Sequence, residues 1–295
     1  MNICAAESPI EDIIDGQRFV RTEAVGCYLC GKTQPSRRIP VAFGLQALVA
    51  ECPDCRLAFQ SPQPSPEASL AYMDWRWKSP DQYVGDRQRQ LKRARSQASH
   101  VKRFVQGPIR LLDFGAGAGS FVRAALDQGW EATGVEQSTS ARARAKEYYE
   151  VDLLGSLPDG RFDAITMWDV VEHLRDPRAV LKMLAEHLNP GGFLILETGN
   201  FENWKRVAQD DEWSLYLFDH QFYFTPASLR QVLREAGFPG FHLLNRGRSF
   251  PPILPWQLLS PSRTWQLWRQ WAQAKSQWPE HGDINVMVVA AQRAA

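Results

Sequence analysis

The chain has 295 residues, 44% of them hydrophobic, which is enough to bury a sizeable core and to form one large domain with a smaller one. Its 34 lysine and arginine residues are balanced by 33 aspartate and glutamate residues. This balance excludes an overall charge that would select nucleic acid or an anionic membrane, so partners have to be inferred from local features.

The first 19 residues, "MNICAAESPIEDIIDGQRF", carry acidic side chains where a secretory signal peptide carries a basic region and then an apolar stretch. Farther along, no segment approaches the roughly 20 consecutive apolar residues of a membrane-spanning helix. We therefore expect a soluble, cytoplasmic protein without a transmembrane segment.

Two cysteine pairs follow, "CYLC" at Cys27 and Cys30 and "CPDC" at Cys52 and Cys55, with 21 residues between the pairs. Pairs at this separation are typical of four-cysteine zinc ribbons, in which four thiolates surround one tetrahedral ion. The alternatives are disulfides, which a reducing cytoplasm disfavours, and a thioredoxin-like redox pair. We predict structural zinc, because four protein ligands leave no open position on the metal. Cys4 is left over as a free thiol.

A domain boundary is predicted at "SPQPSPEAS", where three prolines within five residues prevent a continuous strand or helix before Pro66. From there to about Gly107 the sequence predicts helix. The basic run "DRQRQLKRARSQASHVKRF" fits either a nucleic-acid contact or a solvated helix face, and we favour the solvated face. The predicted division is a zinc-ribbon region over 1–61, a helical cap over 62–107 and the largest domain over 108–295.

The stretch "LLDFGAGAGSF", residues 111–121, has the order strand, glycine-rich turn, helix, with the helix beginning at Ser120. Glycines in such a turn let a ligand approach the backbone, beside the free N–H groups at the start of the helix. The next strand, "EATGVEQS", contains Glu136, 19 residues after Gly117. A carboxylate at that place can accept hydrogen bonds from both hydroxyls of a ribose.

A nicotinamide-dinucleotide site is the alternative for these glycines. It requires glycine or alanine where this chain has Ser120, and it has no use for Asp113. Here the acid precedes glycines at three alternating positions, Gly115, Gly117 and Gly119. This arrangement resembles motif I of the class I S-adenosylmethionine-dependent methyltransferases.

Later segments follow in the order of that family. They are "RFDAITMWDVVEHLRDP" for the fourth strand, "LNPGGFLILET" for the turn into the fifth, "TPASLRQVLREAGF" for the helix before the sixth, and "GDINVMVVAAQR" for an antiparallel seventh. Together with the cysteine pairs, residues 25–292 resemble a methyltransferase subgroup with an N-terminal zinc ribbon, many of whose members act on small molecules and sugars. The resemblance implies an α/β fold, a seven-stranded doubly wound Rossmann-like methyltransferase sheet preceded by the zinc ribbon and the helical cap.

The resemblance also assigns contacts with S-adenosylmethionine (SAM) to individual positions. The methionine portion is expected along the glycine turn, at Asp113, Gly115, Ala116, Gly117 and Gly119. Asp113 would supply a carboxylate near the amino group of the cofactor, and Glu136 would hold the ribose.

The adenine is expected near Gln137 and beyond the third strand, "YEVDLLGSL", at Gly155, Ser156 and Leu157. That strand lacks the acid or asparagine that frequently follows it in the family. Trp168 and Asp169, at the end of the fourth strand, are expected to flank the bound cofactor.

Methyl transfer from SAM requires exclusion of water, alignment of the acceptor with the methyl group and, for some acceptors, removal of one proton. The candidates for the base are His173 at the carboxyl edge of the sheet, His220 in "FDHQFYF" and, more weakly, Tyr223. A structural hydrogen-bonding role explains His173 equally well, so the identity of the base remains open.

The sequence as a whole predicts a SAM-dependent methyltransferase for a small-molecule acceptor, such as a sugar, a lipid-linked compound or another metabolite. It leaves open the oligomeric state and whether oxygen, nitrogen or carbon is methylated. One alternative is an RNA methyltransferase, which the neutral charge balance and the lack of an Asn-Pro-Pro-Tyr type tetrapeptide after the fourth strand weaken. The other alternative is a non-catalytic SAM-binding module.

The segment before the last strand contains five of the chain's 11 tryptophans, Trp256, Trp265, Trp268, Trp271 and Trp278. The middle three recur every third residue, which places them along one side of a helix. We expect this side to pack on the cap or on a second subunit. The alternative is a pocket for an apolar or lipid-linked acceptor, or contact with a membrane interface.

Overall fold

The computed structural model describes residues 10–14, 17–41, 46–78, 87–203, 206, 209–244 and 286–294. The described residues form three β-sheets, two of them in the N-terminal part of the chain and one large sheet flanked by helices. Cys4 and the five clustered tryptophans lie outside the described residues. Within the described part, no helix is both long enough and apolar enough to cross a membrane.

The first small sheet joins an N-terminal hairpin to a short strand from the proline-rich stretch. The hairpin pairs β1 with β2 in antiparallel register, and β6 extends the sheet beside β2. These strands are β1 (Ile10–Ile14), β2 (Gln17–Glu23) and β6 (Gln63–Pro64).

The second small sheet carries the two cysteine pairs in its turns. Its strands are β3 (Ser36–Pro40), β4 (Gln46–Glu51), β5 (Ala58–Gln60) and β11 (Phe222–Tyr223). They lie in the order β11-β5-β4-β3 and are all antiparallel. Strand β11 belongs to the part of the chain that the sequence assigns to the large domain, and it pairs with β5 of the zinc-ribbon region. Main-chain hydrogen bonds therefore connect the two predicted domains. The boundaries themselves stay a prediction.

The described residues after the proline-rich stretch include two helices, α1 (Pro66–Lys78) and α2 (Arg87–Val101). Proline is tolerated at the first turn of α1, where a missing N–H costs no helical hydrogen bond. The buried side of α2 is formed by Ala94, Ala98 and Val101, at the spacing of one helix face. The charged side chains of the basic run therefore lie mainly on the opposite side.

The large sheet has the order β12-β13-β10-β9-β7-β8. Its strands are β7 (Arg110–Phe114), β8 (Glu131–Val135), β9 (Phe162–Trp168), β10 (Leu188–Gly199), β12 (His242–Leu243) and β13 (Val286–Gln292). Strands β8, β7, β9 and β10 are parallel to one another, and β13 is antiparallel to both of its neighbours. The fold class and the antiparallel last strand predicted from the sequence are confirmed.

The number of strands differs from the expected seven, since six strands are described in this sheet. The missing one is the third strand of the sequence prediction, which is reduced to a single parallel bridge between Val135 and Leu154. That bridge lies at the open edge beside β8, and the chain turns away immediately through Gly155, Pro158 and Gly160. Residues that break a strand so soon after its first pairing leave no room for a longer ladder.

Helices cover both faces of the large sheet, as in a doubly wound fold. They are α3 (Ser120–Leu126), α4 (Thr139–Tyr149), α5 (Pro177–Glu186) and α6 (Pro226–Glu235). One face packs against α5, α6 and the cysteine-bearing sheet, and the other packs against α2 and α3. Alternate residues of β10 enter the two cores, with Leu194 and Leu196 on the first face and Ile195 on the second.

Candidate active site

The glycine turn lies between the carboxyl end of β7 and the start of α3, as the sequence predicts. The N–H groups of Gly115 and Ala116 both donate to the carbonyl of Val135, at 2.8 and 2.9 Å. Gly115 has a φ of +77°, and a Cβ there would lie 2.6 Å from a methyl carbon of Val170. Any larger residue would therefore push the turn away from the segment that follows β9.

Glu136 closes this turn from the neighbouring strand. One carboxylate oxygen accepts a hydrogen bond from the N–H of Gly117 at 2.9 Å, and the other accepts from the N–H of Ser138 at 2.8 Å. A carboxylate has about four acceptor positions, so both oxygens keep capacity for a further donor. Glu136 is also buried, with 5% of its surface exposed.

Asp113 lies beneath the glycine turn and is 1% exposed. The hydroxyl of Thr166 donates to its Oδ1 at 2.7 Å. Burial, with a smaller contribution from the charge of Glu136, raises the pKa of Asp113 to about 7, and the hydrogen bond from Thr166 opposes this shift. A cationic ligand near Asp113 would stabilise the ionised carboxylate.

The residues expected near the adenine lie together beside Glu136. The N–H of Glu136 donates to the carbonyl of Leu154 at 2.9 Å, which brings the end of the reduced third strand to this point. The residues that the sequence predicts for adenine contact are exposed or half-buried here, namely Gln137, Gly155, Ser156 and Leu157. Arg142 donates to the carbonyl of Gln137 at 2.8 Å and borders Gly155.

Trp168 and Asp169 end β9 on the other side of the glycine turn. The ring of Trp168 packs on Phe121 at a centroid distance of 5.0 Å. Its indole N–H is buried and has no hydrogen-bond partner among the described residues. Asp169 accepts a hydrogen bond from Arg93 at 2.5 Å, and the same guanidinium also pairs with Glu197.

Two residues of the helical cap reach this site, and the sequence analysis assigned no role to either. Arg93 of α2 links the ends of β9 and β10 through the pairs just described. Trp77 of α1 covers the glycine turn, because a Cβ on Gly117 would lie 3.1 Å from its ring. Helix α1 is fixed there by Arg144, whose Nε donates to the carbonyl of Trp77 at 2.8 Å. The aromatic residues of "YMDWRW" were the available signal for Trp77, but tryptophans in a helix are more often simple core residues.

The two candidate histidines are in contact. Neither their spacing in the sequence nor the composition could predict this contact. The rings of His173 and His220 have centroids 4.7 Å apart at an angle of 77°. Nδ1 of His173 lies 3.0 Å from the carbonyl oxygen of Asp219 and 3.4 Å from its Oδ2. Arg76 of α1 donates to the same Oδ2 at 2.8 Å.

Asp219 is the central anion of this group. Burial raises the pKa of Asp219, but the charges of His173 and Arg76 together lower it by more, so the net shift is downward. The carboxylate is 3% exposed and stays ionised near pH 7. The available signal for Asp219 in the sequence is that it directly precedes His220.

His220 has a different environment, with 4% of its surface exposed. Burial, together with the charge of His173, lowers the pKa of His220 to about 3, and Asp219 opposes this shift only in part. The ring is therefore neutral near pH 7. Tyr223 is also buried, with its hydroxyl 3.4 Å from the carbonyl of Leu217 and its ring 5.9 Å from His220.

Two groups of described side chains are close enough to share a cation. The first is the four cysteines, and the second is Glu172 with His173 and His220, whose ligand-type atoms lie within 4.8 Å of one another. Glu172 is 2% exposed, and burial followed by the charge of Asp169 raises its pKa well above the usual range.

The four cysteines come together as the sequence predicts, with their sulfur atoms within 4.8 Å of one another. The two turns have matching hydrogen bonds: the N–H of Gly31 donates to the carbonyl of Cys27, and the N–H of Arg56 donates to that of Cys52. Cys27 and Cys52 belong to the core that covers one face of the large sheet.

The cysteine geometry fits tetrahedral zinc. Zn–S bonds of about 2.3 Å imply sulfur separations of about 3.8 Å. The sulfur atoms of Cys30 and Cys52 lie 3.6 Å apart, well beyond the roughly 2.05 Å of a disulfide bond. The arrangement therefore favours a shared ion over a disulfide.

Comparison with known proteins identifies relatives of the large domain. Residues 83–242, more than half of the chain, match the family described as "Methyltransferase domain". The chain is 28% identical over 164 residues to a ubiquinone biosynthesis O-methyltransferase of Psychrobacter arcticus. It is 34% identical over 110 residues to a ubiquinone biosynthesis O-methyltransferase of Bradyrhizobium sp..

These matches are partial. The first covers 48% of this chain and 64% of the relative, and the second covers 34% and 43%, so the chain spans less than two thirds of either relative. Among solved structures, a SAM-dependent methyltransferase from Archaeoglobus fulgidus is similar with a TM-score of 0.52 at 15% identity. That similarity covers 72% of this chain and 97% of the other, and it supports the fold described above.

Proposed function

The chain belongs to the methyltransferase-domain family, and from this premise we propose that it transfers a methyl group from SAM to a small-molecule acceptor. We further propose a hydroxyl oxygen as the accepting atom. Two matched relatives carry the name O-methyltransferase. In addition, a histidine paired with a carboxylate follows three residues after Val170, whose side chain borders Gly115 of the glycine turn. The contact between Asp219 and His173 is the observation that carries this choice.

SAM would lie along the carboxyl edge of the large sheet. Glu136 would accept hydrogen bonds from the ribose hydroxyls, and Asp113 would face the cationic methionine end beneath the glycine turn. When bound, SAM supplies a methyl group already activated by its sulfonium. The chain has only to exclude water, align the acceptor and handle one proton.

His173 is the better candidate for the base. The acceptor oxygen would attack the methyl carbon as the carbon–sulfur bond breaks, S-adenosylhomocysteine would leave, and the hydroxyl proton would pass to Nε2 of His173. Asp219 would stabilise the resulting imidazolium through Nδ1, as carboxylates do in other histidine pairs. His173 is also the more accessible histidine, with 14% of its side chain exposed.

His220 would then orient the acceptor or the ring of His173. A ring whose pKa is lowered to about 3 is a weak proton acceptor near pH 7. It can still contribute a directional hydrogen bond while neutral. Tyr223 would support the aromatic wall behind His220 without a direct role in the proton transfer.

The test is transfer of a labelled methyl group from SAM to a panel of phenols, catechols, sugars and amines. We expect a hydroxyl compound to accept the label. His173→Ala should lower turnover by roughly a hundredfold or more with nearly unchanged SAM affinity. His220→Ala should also lower turnover, because the ring that orients the acceptor or His173 is lost.

His187 provides the matched control. It lies at the end of α5, and its carbonyl accepts a hydrogen bond from Phe162 at the opposite edge of the sheet. His187→Ala should therefore retain full turnover. Equal turnover in His173→Ala and the parent protein above and below pH 7 would remove His173 from the mechanism.

The cysteine cluster is proposed to hold one structural zinc ion. Four thiolates in a closed set favour a stabilising role, because no position on the metal is left for the acceptor or for water.

A further inference from the structure

We propose that Gln60, on strand β5 of the cysteine-bearing sheet, is a positioning residue for the His173–Asp219 pair. The cysteine-bearing sheet would thereby form part of the acceptor site as well as supporting the fold. This inference rests on the proposed function, because it gives His173 and Asp219 their role in proton removal.

The side chain of Gln60 binds several main-chain carbonyls of the turn that carries Asp219. Its amide Nε2 donates toward three carbonyl oxygens, those of Leu217 at 3.1 Å, Phe218 at 2.8 Å and His220 at 2.6 Å. Gln60 has no exposed surface, so water does not compete for these contacts. One amide group thus holds the main chain on both sides of Asp219.

The backbone of Gln60 adds a second connection to the same turn. Its N–H donates to the carbonyl of Gln221 at 2.9 Å, and the N–H of Gln221 donates to the carbonyl of Glu172 at 2.7 Å. Glu172 directly precedes His173. A continuous path of hydrogen bonds therefore joins β5 to both members of the proposed proton-accepting pair.

The first cysteine turn reaches the same region from the other side. Tyr28, between Cys27 and Cys30, donates its hydroxyl to Asp176 and accepts a hydrogen bond from the N–H of Arg178 at 2.9 Å. The guanidinium of Arg178 covers the Tyr28 ring at 4.6 Å and donates to its carbonyl at 2.9 Å.

Asp176 caps the N-terminus of α5, three residues after His173. The first cysteine turn thus holds the chain three residues after His173 through Tyr28, and β5 holds the chain around Asp219 through Gln60. A purely structural ribbon needs contact with the large domain. It does not need a buried amide directed at the carbonyls around one carboxylate.

The expected consequence of losing this amide is a small displacement of Asp219. Oδ2 of Asp219 would then move away from Nδ1 of His173. In the intact protein these two atoms are 3.4 Å apart. Misplacement of a catalytic group by about 1 Å can lower the rate by roughly a hundredfold. SAM should bind normally, because Glu136 and the glycine turn belong to other elements.

The experiment replaces Gln60 by Met, which keeps the length of the side chain and removes the donor. The full-length zinc-loaded protein is compared with its parent for kcat, acceptor KM, SAM affinity and zinc content. We expect kcat to fall between tenfold and a hundredfold, with SAM affinity and zinc content unchanged. The matched control is Gln63→Met, because Gln63 is also buried but lies on β6, which pairs with β2.

A second measurement reads the position of the histidines without turnover. NMR signals of the histidine rings, assigned with His173→Ala and His220→Ala, should shift in Gln60→Met and stay in place in Gln63→Met. This readout separates the two proposals: absence of methyl transfer to any acceptor would count against the function, while unshifted rings would count against the positioning role.

Unchanged kcat in Gln60→Met, or an equal loss of SAM affinity and kcat, would overturn the inference. If the Met variant does not fold, Gln60→Asn replaces it. The shorter amide stays polar but cannot span the contacts of 2.6 to 3.1 Å made by glutamine, so the same loss of kcat and the same ring shifts are expected. Parent-like values in the Asn variant would again overturn the inference.

Discussion

At the scale of single residues, Glu136 is the side chain proposed to hold the ribose of SAM beside the glycine turn. In the ligand-free arrangement its two oxygens accept the N–H groups of Gly117 and Ser138. Glu136→Ala removes both of these bonds and the two charge-assisted bonds expected from the ribose. We predict a loss of about 2 to 4 kcal/mol of SAM binding, measured by calorimetry.

Glu136→Gln is the control for this prediction. It preserves the volume of the side chain and one acceptor oxygen but removes the charge, so its loss should be smaller. Unchanged SAM affinity in the Ala variant, with an unchanged melting temperature, would refute the ribose assignment.

We predict that Asp113 makes the binding of SAM sensitive to pH. Its pKa is raised to about 7, mainly by burial, so below pH 7 the free protein holds a proton that the cationic cofactor would have to displace. SAM affinity should therefore rise as the pH increases from 6 to about 7.5, and binding near pH 6.5 should release a proton. Calorimetry in buffers of different ionisation enthalpy measures that proton directly.

Two variants test whether Asp113 is responsible for this pH dependence. Asp113→Asn should remove the dependence. Thr166→Val should move it to higher pH, because the hydroxyl that donates to the ionised Asp113 is lost while the shape of the buried side chain is kept. Affinity that does not change over this pH range in the parent protein would contradict the prediction. The range ends below the point at which the amino group of SAM loses its own proton, about pH 7.7 to 8.0.

At the scale of elements, the strands that sequence patterns predict best are those buried on both faces. The central strands β7, β9 and β10 contain short, mostly apolar runs followed by turn residues, which is the pattern of a covered parallel strand. The third strand was overestimated because its run at Val151–Leu154 resembles the others, while its position at the sheet edge and the following Gly155 limit it to one bridge.

The arrangement of the proposed acceptor site could not be predicted from the sequence as well as these strands could. It combines Gln60 of β5, Arg76 of α1, His173 after β9 and Asp219 before β11. Each of these polar residues has an ordinary local explanation in its own segment. Only the pairing of β11 with β5, a contact across more than 150 residues of sequence, brings them together. The cofactor turn was predictable because its residues are close in sequence.

The cap helices show how elements outside the large sheet complete the cofactor site. Helix α1 reaches the start of α4, where Asp74 accepts a hydrogen bond from Ser140 at 2.9 Å. This contact holds Trp77 over Gly117, while Arg93 of α2 pairs with Asp169. The glycine turn and Asp169 are therefore each bordered by a side chain of the cap.

At the scale of the whole molecule, the cysteine-bearing unit and the large domain share one core. Cys27, Cys52 and Phe59 pack in the same cluster as Leu112 and Ile165 of the large sheet. The four cysteines should therefore affect the stability of the entire chain and not only that of an N-terminal segment.

The last prediction follows from this shared core. Cys52→Ser should lose the metal, since zinc requires four good ligands here, and should lower the melting temperature by roughly 10 °C. SAM affinity should change little, because Glu136 and the glycine turn lie outside the cysteine-bearing sheet. Turnover should fall, because β5 carries Gln60 directly after the second cysteine pair. Elemental analysis, thermal unfolding and calorimetry on the same preparations measure these effects, with Cys4→Ser as the control that keeps the four-cysteine set intact. Protein purified without chelator that contains no zinc, or a Cys52→Ser variant as stable as its parent, would show that the cluster does not hold the molecule together through a metal.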